Sequence, residues 1–111
     1  MTFSTVQYIR MFQGSLPTTN TTQYTTPASR QDVIKCIDIA NGTGAAITCT
    51  VYLVPTGNTA GAANVILPAV IIPGDQVLHW TGTQVMNAGD FLSTTTSATG
   101  LCMTVSGLES Q

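Results

Sequence analysis

Charged side chains are the scarcest class in this chain. Only eight of its 111 residues are Asp, Glu, Lys or Arg, or 7% of the total, whereas an ordinary soluble domain carries roughly a quarter. A free-standing domain uses surface charge to remain soluble and monomeric. Here twenty threonines, with Ser, Asn, Gln and Gly, take the place of charge. This composition favours a strand-rich protein that works within an assembly.

Basic residues are scarce in this chain, which limits the kinds of molecule that it is expected to bind. Arg10, Arg30 and Lys35 are the three basic residues, and binding to nucleic acid or to an anionic membrane needs clusters of such residues. The apolar stretch at residues 65–73 is far shorter than the roughly 20 residues that span a bilayer. The N-terminal sequence also lacks the basic and apolar regions of a secretory signal. We therefore expect no nucleic-acid partner and no membrane partner.

Cysteine and histidine are also few. Cys36, Cys49 and Cys102 have no CxxC or zinc-finger spacing, and each lies in an apolar segment, so we expect buried and reduced thiols. His79 is the single histidine, and Asp75 is the carboxylate nearest to it in sequence. A structural zinc site needs more ligands than this pattern supplies. The sequence therefore predicts no metal site, and it predicts that His79 lies in a strand or at an interface.

The pattern of a catalytic or cofactor site is missing as well. A general base needs a partner within hydrogen-bonding reach, and calcium needs about six to eight oxygen ligands. Neither the phosphate-binding loop nor the dinucleotide fingerprint occurs in the sequence. Asp75 and Asp90 each follow a glycine in a turn sequence, where side-chain capping is the simpler role. We expect a protein that is not an enzyme and binds no cofactor.

The chain has the pattern of short strands separated by turns. Residues 46–54 alternate in polarity, as expected for a strand with one buried face, and the Asn-Gly-Thr-Gly turn before them predicts a hairpin with residues 33–40. A further turn is predicted at residues 81–83, and residues 62–66 are expected either to form one helical turn or to continue the loop before them. Seven or eight short strands predict an all-β antiparallel sandwich, with jelly-roll or Ig-like topology. The predicted strands are residues 6–12, 33–40, 46–54, 65–72, 76–80, a strand that starts at 91–92, and 101–105, with a brief extended piece at 24–25.

Five regions of the chain, in order, are similar to one family. Each region combines a strand with the turn beside it, and together they extend from about residue 16 to residue 109. On these regions the chain resembles the small β-sandwich virion structural proteins of tailed bacteriophages. Ser29 and Arg30 depart from the pattern, which would have Gly-Lys there, and residues 1–10 lie outside it. The regions are 16–17 with 21–28 (LP, TTQYTTPA), 37–41 (IDIAN), 51–57 (VYLVPTG), 87–90 (NAGD) and 105–109 (VSGLE).

The resemblance implies a structural part of a phage particle. Its leading form is a head decoration (cement) protein, which sits on the assembled shell, contacts the major capsid protein and stabilises the head. The alternative is a tail, collar or fibre-associated module that docks to a tail protein or binds host-surface glycan. In either case the protein would be made in the cytoplasm of the bacterial host and would reside in the virion. The family implies no catalytic residues.

Residues 1–20 are expected to form an N-terminal strand or arm ahead of a β-sandwich domain at residues 21–111, in a chain with a single domain overall. A chain this poor in charge leaves its strand edges open to pairing unless closed symmetry hides them. We therefore expect a homotrimer at a local three-fold position, with a sandwich that folds without residues 1–15. Aromatic residues are common interface anchors. The candidate interface residues are Phe3, Val6, Tyr8, Ile9, Met11, Phe12 and Trp80.

The predicted core supplies a first test. Replacing Val51 by Asp should lower the free energy of unfolding by several kcal/mol, because an unpaired charge would enter a dry core. Thr48→Asp, on the opposite face of the same predicted strand, should change it far less. Denaturation followed by circular dichroism measures both, and a spectrum dominated by helix would contradict the all-β prediction. The predicted core residues are Ile37, Ile39, Cys49, Val51, Leu53, Leu78, Leu101, Met103 and Val105.

Overall fold

Strands occupy most of the described chain. The computed structural model describes residues 5–111 and shows eight antiparallel strands with one short 3-10 helix, Ala62–Asn64, in the segment expected to form a helical turn or a loop. Four strands form each of two sheets, here named sheet A and sheet B. Among residues 5–111, no helix is long and apolar enough to cross a membrane. The strands are β1 (Val6–Ser15), β2 (Thr21–Thr25), β3 (Gln31–Asn41), β4 (Ile47–Val54), β5 (Val65–Ile72), β6 (Val77–Met86), β7 (Phe91–Thr96) and β8 (Leu101–Ser110).

The order of the strands decides between the two predicted topologies. Sheet A has the order β1-β8-β3-β6, and sheet B has the order β2-β7-β4-β5. The first strand pairs with the last, the second with the seventh, the third with the sixth and the fourth with the fifth. This is the pattern of one long antiparallel ribbon rolled into two sheets, which is the eight-stranded jelly roll. The all-β sandwich is confirmed, in its jelly-roll form.

The inner faces of the two sheets pack against each other and form the core. Seven of the nine residues predicted to be buried are buried, while Leu53 and Leu78 are half-buried and pack against the core. Register shifts in β1, β3 and β5 interrupt the simple alternation of inward and outward side chains. The core also includes residues that were not among the nine predicted ones: Met11, Leu16, Ile34, Ile47, Leu67, Ile72, Met86 and Leu92.

The predicted hairpin between residues 33–40 and 46–54 is wrong. β3 lies in sheet A and β4 lies in sheet B, so the turn between them carries the chain from one sheet to the other. Asn41 fixes this crossing from a buried position: its side-chain amide donates to the carbonyls of Ala45 (2.8 Å) and Ile72 (3.0 Å), and its side-chain oxygen accepts from the backbone N–H of Thr43 (3.0 Å). A turn sequence alone does not distinguish a hairpin from such a crossing.

The predicted turn at residues 81–83 is also wrong, because β6 continues through it to Met86. The register along β3 and β6 shifts at this point, where Ile34 faces Gln84 but Cys36 faces Thr81. Gly82 lies in the shift, and a Cβ placed there would come within 2.8 Å of the Trp80 ring. The glycine is therefore required by the packing of Trp80 and does not mark the end of a strand.

The N-terminal segment is part of the sandwich. β1 pairs with β8 from Val6, opposite Ser110, to Ser15, opposite Cys102, and it contributes Met11 to the core. A sandwich without residues 1–15 would lose an edge strand of sheet A. The sequence led us to expect that the sandwich folds without residues 1–15. The structure instead leads us to expect that deleting them strongly destabilises it.

Ser29 adopts a backbone conformation that is unusual for its residue type. Its φ angle is 64°, in the left-handed region where glycine is favoured. This is the position at which the resemblance would have glycine. The turn keeps the left-handed geometry despite the Ser29 side chain.

Gly107 lies within β8, which continues to Ser110 and not only to the predicted residue 105. It is buried between β1 and β3, opposite Ile9 and Ile34. A Cβ at this position would come within 1.8 Å of the backbone carbonyl oxygen of Val33 and 2.9 Å of the Met11 side chain. The backbone carbonyl cannot rotate away, so the close approach of β8 to β3 requires glycine.

This contact predicts a large difference between two glycine substitutions. Gly107→Ala should lower the free energy of unfolding by about 3 kcal/mol or more, because overpacking of a dense core costs typically 1–3 kcal/mol even where side chains can adjust. Gly42→Ala is the control, since a Cβ at Gly42 meets nothing within 4 Å. Urea denaturation of both variants measures the difference. Equal stability of the two variants would contradict the assigned register.

Candidate functional site: the outer face of sheet A

An apolar row crosses the outer face of sheet A. The strand register places Leu108 of β8 between Tyr8 of β1 and Val33 of β3, and Val33 faces Val85 of β6. Tyr8 is 88% exposed and Val85 is 48% exposed, while Leu108 and Val33 are half-buried. Large exposed apolar residues scattered singly are normal, but a contiguous apolar patch marks an interaction surface.

The outer face of sheet B has a different character. Across that face the register places Thr22 of β2 opposite Ser93 of β7, Ser93 opposite Tyr52 of β4, and Thr95 of β7 opposite Thr50 of β4. Hydroxyl groups of this kind hydrogen-bond readily to water, and they offer little apolar area. Apolar side chains also lie on this face: Ile71 of β5 is 65% exposed, and Tyr52 and Phe91 are half-buried. Among the described residues, four of the five exposed large apolar side chains, Val6, Tyr8, Val77 and Val85, belong to strands of sheet A, so the two outer faces differ.

The edges of the sheets are protected to different degrees. β5, at the edge of sheet B, contains Pro68, and Ala69 beside it has a φ of 39°. Proline and irregular backbone in an edge strand oppose pairing with another chain. β6, at the edge of sheet A, has ten residues and contains neither proline nor a charged side chain. Sheet A thus presents an apolar row on its outer face and an edge strand, β6, that is irregular at Gly82 but contains no proline.

The structure places the candidate interface residues in different environments. Val6 and Tyr8 are exposed on the outer face of sheet A. Ile9, Phe12 and Trp80 are half-buried against the core. Met11 is buried, because the register shift between Arg10 and Phe12 directs its side chain inward, and its assignment to an interface is wrong. Phe3 lies outside the described residues. Val33, Val85 and Leu108, which the sequence analysis missed, complete the surface with Val6 and Tyr8.

Three polar side chains meet on the same face beside the apolar row. Cys36 and Asp38 are two residues apart on β3, and His79 lies directly opposite Asp38 on β6. The Cys36 Sγ is 3.4 Å from Asp38 Oδ2 and 3.9 Å from His79 Nδ1, and His79 Nδ1 also contacts Asp38 Oδ1. The hydrogen bond from His79 lowers the pKa of Asp38, and burial together with Asp38 raises the pKa of Cys36. His79 therefore has a carboxylate partner, but this is Asp38 and not Asp75.

The three thiols lie in different environments. Cys49 is buried in the core, and burial raises its pKa to about 11. Cys36 is half-buried, and Cys102 is exposed. The prediction that all three thiols are buried is confirmed for Cys49 and wrong for Cys102, because Cys102 follows a core residue in β8 and so points outward. All three cysteines are free of disulfides.

The carboxylate of Asp90 caps two turns, as predicted. Its Oδ2 accepts from the backbone N–H of Asn87 (2.9 Å), and its Oδ1 accepts from the backbone N–H of Thr56 (3.0 Å). Asp75 takes a left-handed turn position with a φ of 58°, and its backbone N–H donates to the Thr43 carbonyl (2.9 Å). Asp90 therefore caps turns with its side chain, and Asp75 occupies a turn position.

A cluster of ionisable residues lies between the two sheets. Asp32 of β3 and Glu109 of β8 are paired in register and both are buried. The Tyr24 hydroxyl of β2 donates to Asp32, and the Arg30 guanidinium donates to Glu109 (2.7 Å). Burial raises the pKa of Asp32 to about 6, a shift that Glu109 increases and that Tyr24 and Arg30 oppose. Burial and Asp32 also raise the pKa of Tyr24. This cluster joins sheet A to sheet B.

A shallow pocket of about 350 Å³ lies on the side of sheet B. Its lining combines the aromatic ring of Phe91 with small polar residues from two loops. The Asn20 side chain in this lining accepts a hydrogen bond from the Ser93 hydroxyl. The lining residues are Asn20, Thr22, Asn58, Thr59, Ala60, Phe91 and Ser93.

Comparison with solved structures finds a similar fold in a virus. The chain matches a chain in the structure of infectious bursal disease virus, Gx strain, with a TM-score of 0.54 and 13% sequence identity. The match covers 96% of this chain and 32% of the solved chain, so the protein spans about a third of the length of the chain it resembles. At this identity the likeness establishes the fold. Neither protein-family models nor curated proteins match the sequence.

The raised pKa of Asp32 predicts a pH dependence of stability. The folded state holds the Asp32 proton more tightly than the unfolded chain, whose Asp pKa is near 3.8. The stabilisation is therefore fully present below about pH 4 and is lost as the pH rises through about 6. We expect the free energy of unfolding of the wild type to fall by on the order of 2 kcal/mol between about pH 4 and pH 7, relative to Asp32→Asn. Urea denaturation across this range measures the change, and parallel profiles would contradict the assignment.

Proposed function

We propose that the protein is a structural component of a virion, and most specifically a head decoration (cement) protein of a tailed bacteriophage. The observation that carries the proposal is the apolar outer face of sheet A on a jelly-roll fold. A similar fold occurs in a chain of the infectious bursal disease virus structure. The resemblance of the sequence to small phage virion proteins supports the finer assignment.

The surface of the protein favours association with other molecules over a monomeric state. Tyr8 and Val85 expose large apolar areas at the two ends of the row on sheet A. Eight charged residues in the whole chain give little electrostatic protection against association. Covering this face with a partner removes its apolar area from water, which is the main favourable term in protein association.

The size of the face is sufficient for a specific contact. Strands lie about 4.8 Å apart and rise about 3.3 Å per residue, so four strands of about ten residues cover roughly 600 Å² on one partner. An equal area on the other partner gives a total near the lower limit of about 1,200 Å² for stable interfaces. The regular parts of the β6 edge can add main-chain hydrogen bonds with a neighbouring strand.

In this proposal the occupant of sheet A is the major capsid protein, together with neighbouring copies of the same chain. The copies form a homotrimer at a local three-fold position, because closed symmetry leaves no strand edge free. Neighbouring capsomers are then held by contacts that must break before the shell can expand. The protein acts by binding and performs no catalysis.

The pocket on the side of sheet B favours a second candidate, a tail, collar or fibre-associated module that binds host-surface glycan. Sugar sites combine an aromatic surface with a few polar groups, and Phe91, Asn58 and Thr22 supply that combination. Here the functional surface would be on sheet B and not on sheet A. The two candidates therefore predict opposite effects of substitutions on the two sheets.

A test of the proposal places a charge on each face. Tyr8→Lys and Val85→Lys should each reduce incorporation into phage particles roughly 30-fold, because removing an interface anchor costs about 2 kcal/mol or more. Both side chains are exposed, so the folded monomer should keep its stability. Thr25→Lys, at an exposed position on the outer face of sheet B, is the matched control. Quantitative mass spectrometry of purified virions gives the copies per particle.

The location of the protein provides the second measurement. Cryo-electron microscopy of wild-type particles should show trimeric density on the head shell with sheet A facing inward. Density on the tail, together with loss of host adsorption in Thr22→Lys, would favour the glycan-binding candidate. Normal incorporation of both sheet A variants would overturn the proposed docking face.

A further inference from the structure

Cys36, Asp38 and His79 place a sulfur, an oxygen and a nitrogen donor at one point on the outer face of sheet A. We propose that these three side chains form a zinc-binding site with one coordination position left open. The donor atoms all lie within 4.8 Å of one another. The inference concerns a ligand of the chain itself and does not depend on the proposed role in a virion.

The distances between the donors fit a tetrahedral ion. Zinc binds sulfur at about 2.3 Å, and nitrogen and oxygen at about 2.0–2.2 Å. Tetrahedral angles then place neighbouring donors about 3.3–3.6 Å apart. The Cys36 sulfur is already 3.4 Å from Asp38 Oδ2 and 3.9 Å from His79 Nδ1. Binding requires only that the contact between His79 and Asp38 opens to admit the ion.

The local strand geometry explains why the donors converge. Cys36 and Asp38 are two residues apart on β3, so both side chains leave the same face of the sheet. The register pairs Asp38 with His79 and Cys36 with Thr81. Strand pairing therefore holds the three donors without any loop. β3 pairs with β8 on one side and with β6 on the other, so its backbone has little freedom to move. The three donors are therefore held close together.

The contacts of the imidazole argue for a metal site over a catalytic triad. In a triad the nucleophile contacts one ring nitrogen and the carboxylate contacts the other, so that a proton can pass through the ring. Here the Cys36 sulfur and the Asp38 carboxylate both approach the same nitrogen, Nδ1 of His79. Donors that share one point surround an ion but cannot relay a proton across the ring.

The types of donor select the metal. A thiolate and an imidazole favour zinc over magnesium or calcium, which prefer oxygen ligands. The Cys36 thiolate and the Asp38 carboxylate carry two negative charges, which neutralise Zn²⁺ at a site where burial is only partial. On binding, the S–H bond of Cys36 is broken, its proton goes to solvent and the sulfur electron pair forms the Zn–S bond. No oxidation or reduction takes place.

The open position distinguishes this site from a closed structural one. Three protein ligands with a fourth position available are typical of zinc sites that bind water or an added group. The side chain of His79 is 60% exposed and that of Asp38 is 42% exposed, so the fourth position faces away from the sheet. It can therefore be taken by water or by a donor from a molecule docked on this face.

Cobalt and zinc titrations of the reduced full-length protein test the site. Co²⁺ should give a thiolate-to-metal charge-transfer band and the intense visible bands of tetrahedral coordination, and Zn²⁺ should displace both. Cys36→Ser should abolish the charge-transfer band. Asp38→Asn and His79→Gln should each weaken Zn²⁺ binding about 100-fold or more, because losing even an outer-shell partner of a metal ligand costs about 10–100-fold.

Cys102→Ser is the matched control, since Cys102 is an exposed thiol on the same face of sheet A. It should bind Co²⁺ like the wild type. In the wild type, Zn²⁺ should slow alkylation of Cys36 and leave alkylation of Cys102 unchanged. Circular dichroism checks that each variant is folded.

Specific outcomes would overturn the zinc site. These are a Co²⁺ spectrum without the charge-transfer band, an unchanged spectrum in Cys36→Ser, or equal protection of Cys102 by Zn²⁺. Incorporation of His79→Gln into particles is measured separately. Normal incorporation with lost zinc binding would leave the docking proposal intact, and normal zinc binding with failed incorporation of Tyr8→Lys would leave the zinc site intact.

Discussion

A shift of register at Lys35, in the central strand β3, determines both faces of sheet A. Ile34 and Ile37 point into the core on either side of it, although an unbroken strand would send residues three apart to opposite faces. Cys36 and Asp38 are consequently directed outward. β1 has its own shift beside Met11 and β6 has one beside Gly82, at the same level of the sheet. Without this line of irregularities, Ile34 and Ile37 would not both point into the core.

The sequence predicts the class of fold well because threonine, alternating polarity and frequent turn residues are local signals. It does not predict which strands pair. The Asn41 to Gly44 turn has the sequence of a hairpin, yet Asn41 uses its side chain to carry the chain between sheets. Gly82 and Gly107 have the sequence of strand breaks, yet both are required by close contacts inside strands. For Asn41 and Gly107 the deciding contacts are with Ile72 and Val33, which are distant in sequence, whereas Gly82 is constrained by Trp80 within its own strand.

The candidate sites show the same limit. Tyr8 and Val6 were found because they belong to an apolar segment with no obvious partner in the chain. Val33, Val85 and Leu108 come from three different strands, and only the pairing of those strands brings them into a patch with Tyr8. The partner of His79 is 41 residues away at Asp38. A search limited to neighbours in sequence reached Asp75 instead, since no local signal links β3 to β6.

The contrast between the two outer faces has a consequence for growth of an assembly. A protein with similar faces on both sides can stack, because each added copy presents the surface that captures the next. This jelly roll presents apolar side chains on sheet A and mainly hydroxyl groups on sheet B. In the proposed assembly, a copy bound through sheet A would turn sheet B outward, a face that is not equivalent to the one by which it docks. In the proposed assembly, this difference between the two faces would oppose the addition of a second layer.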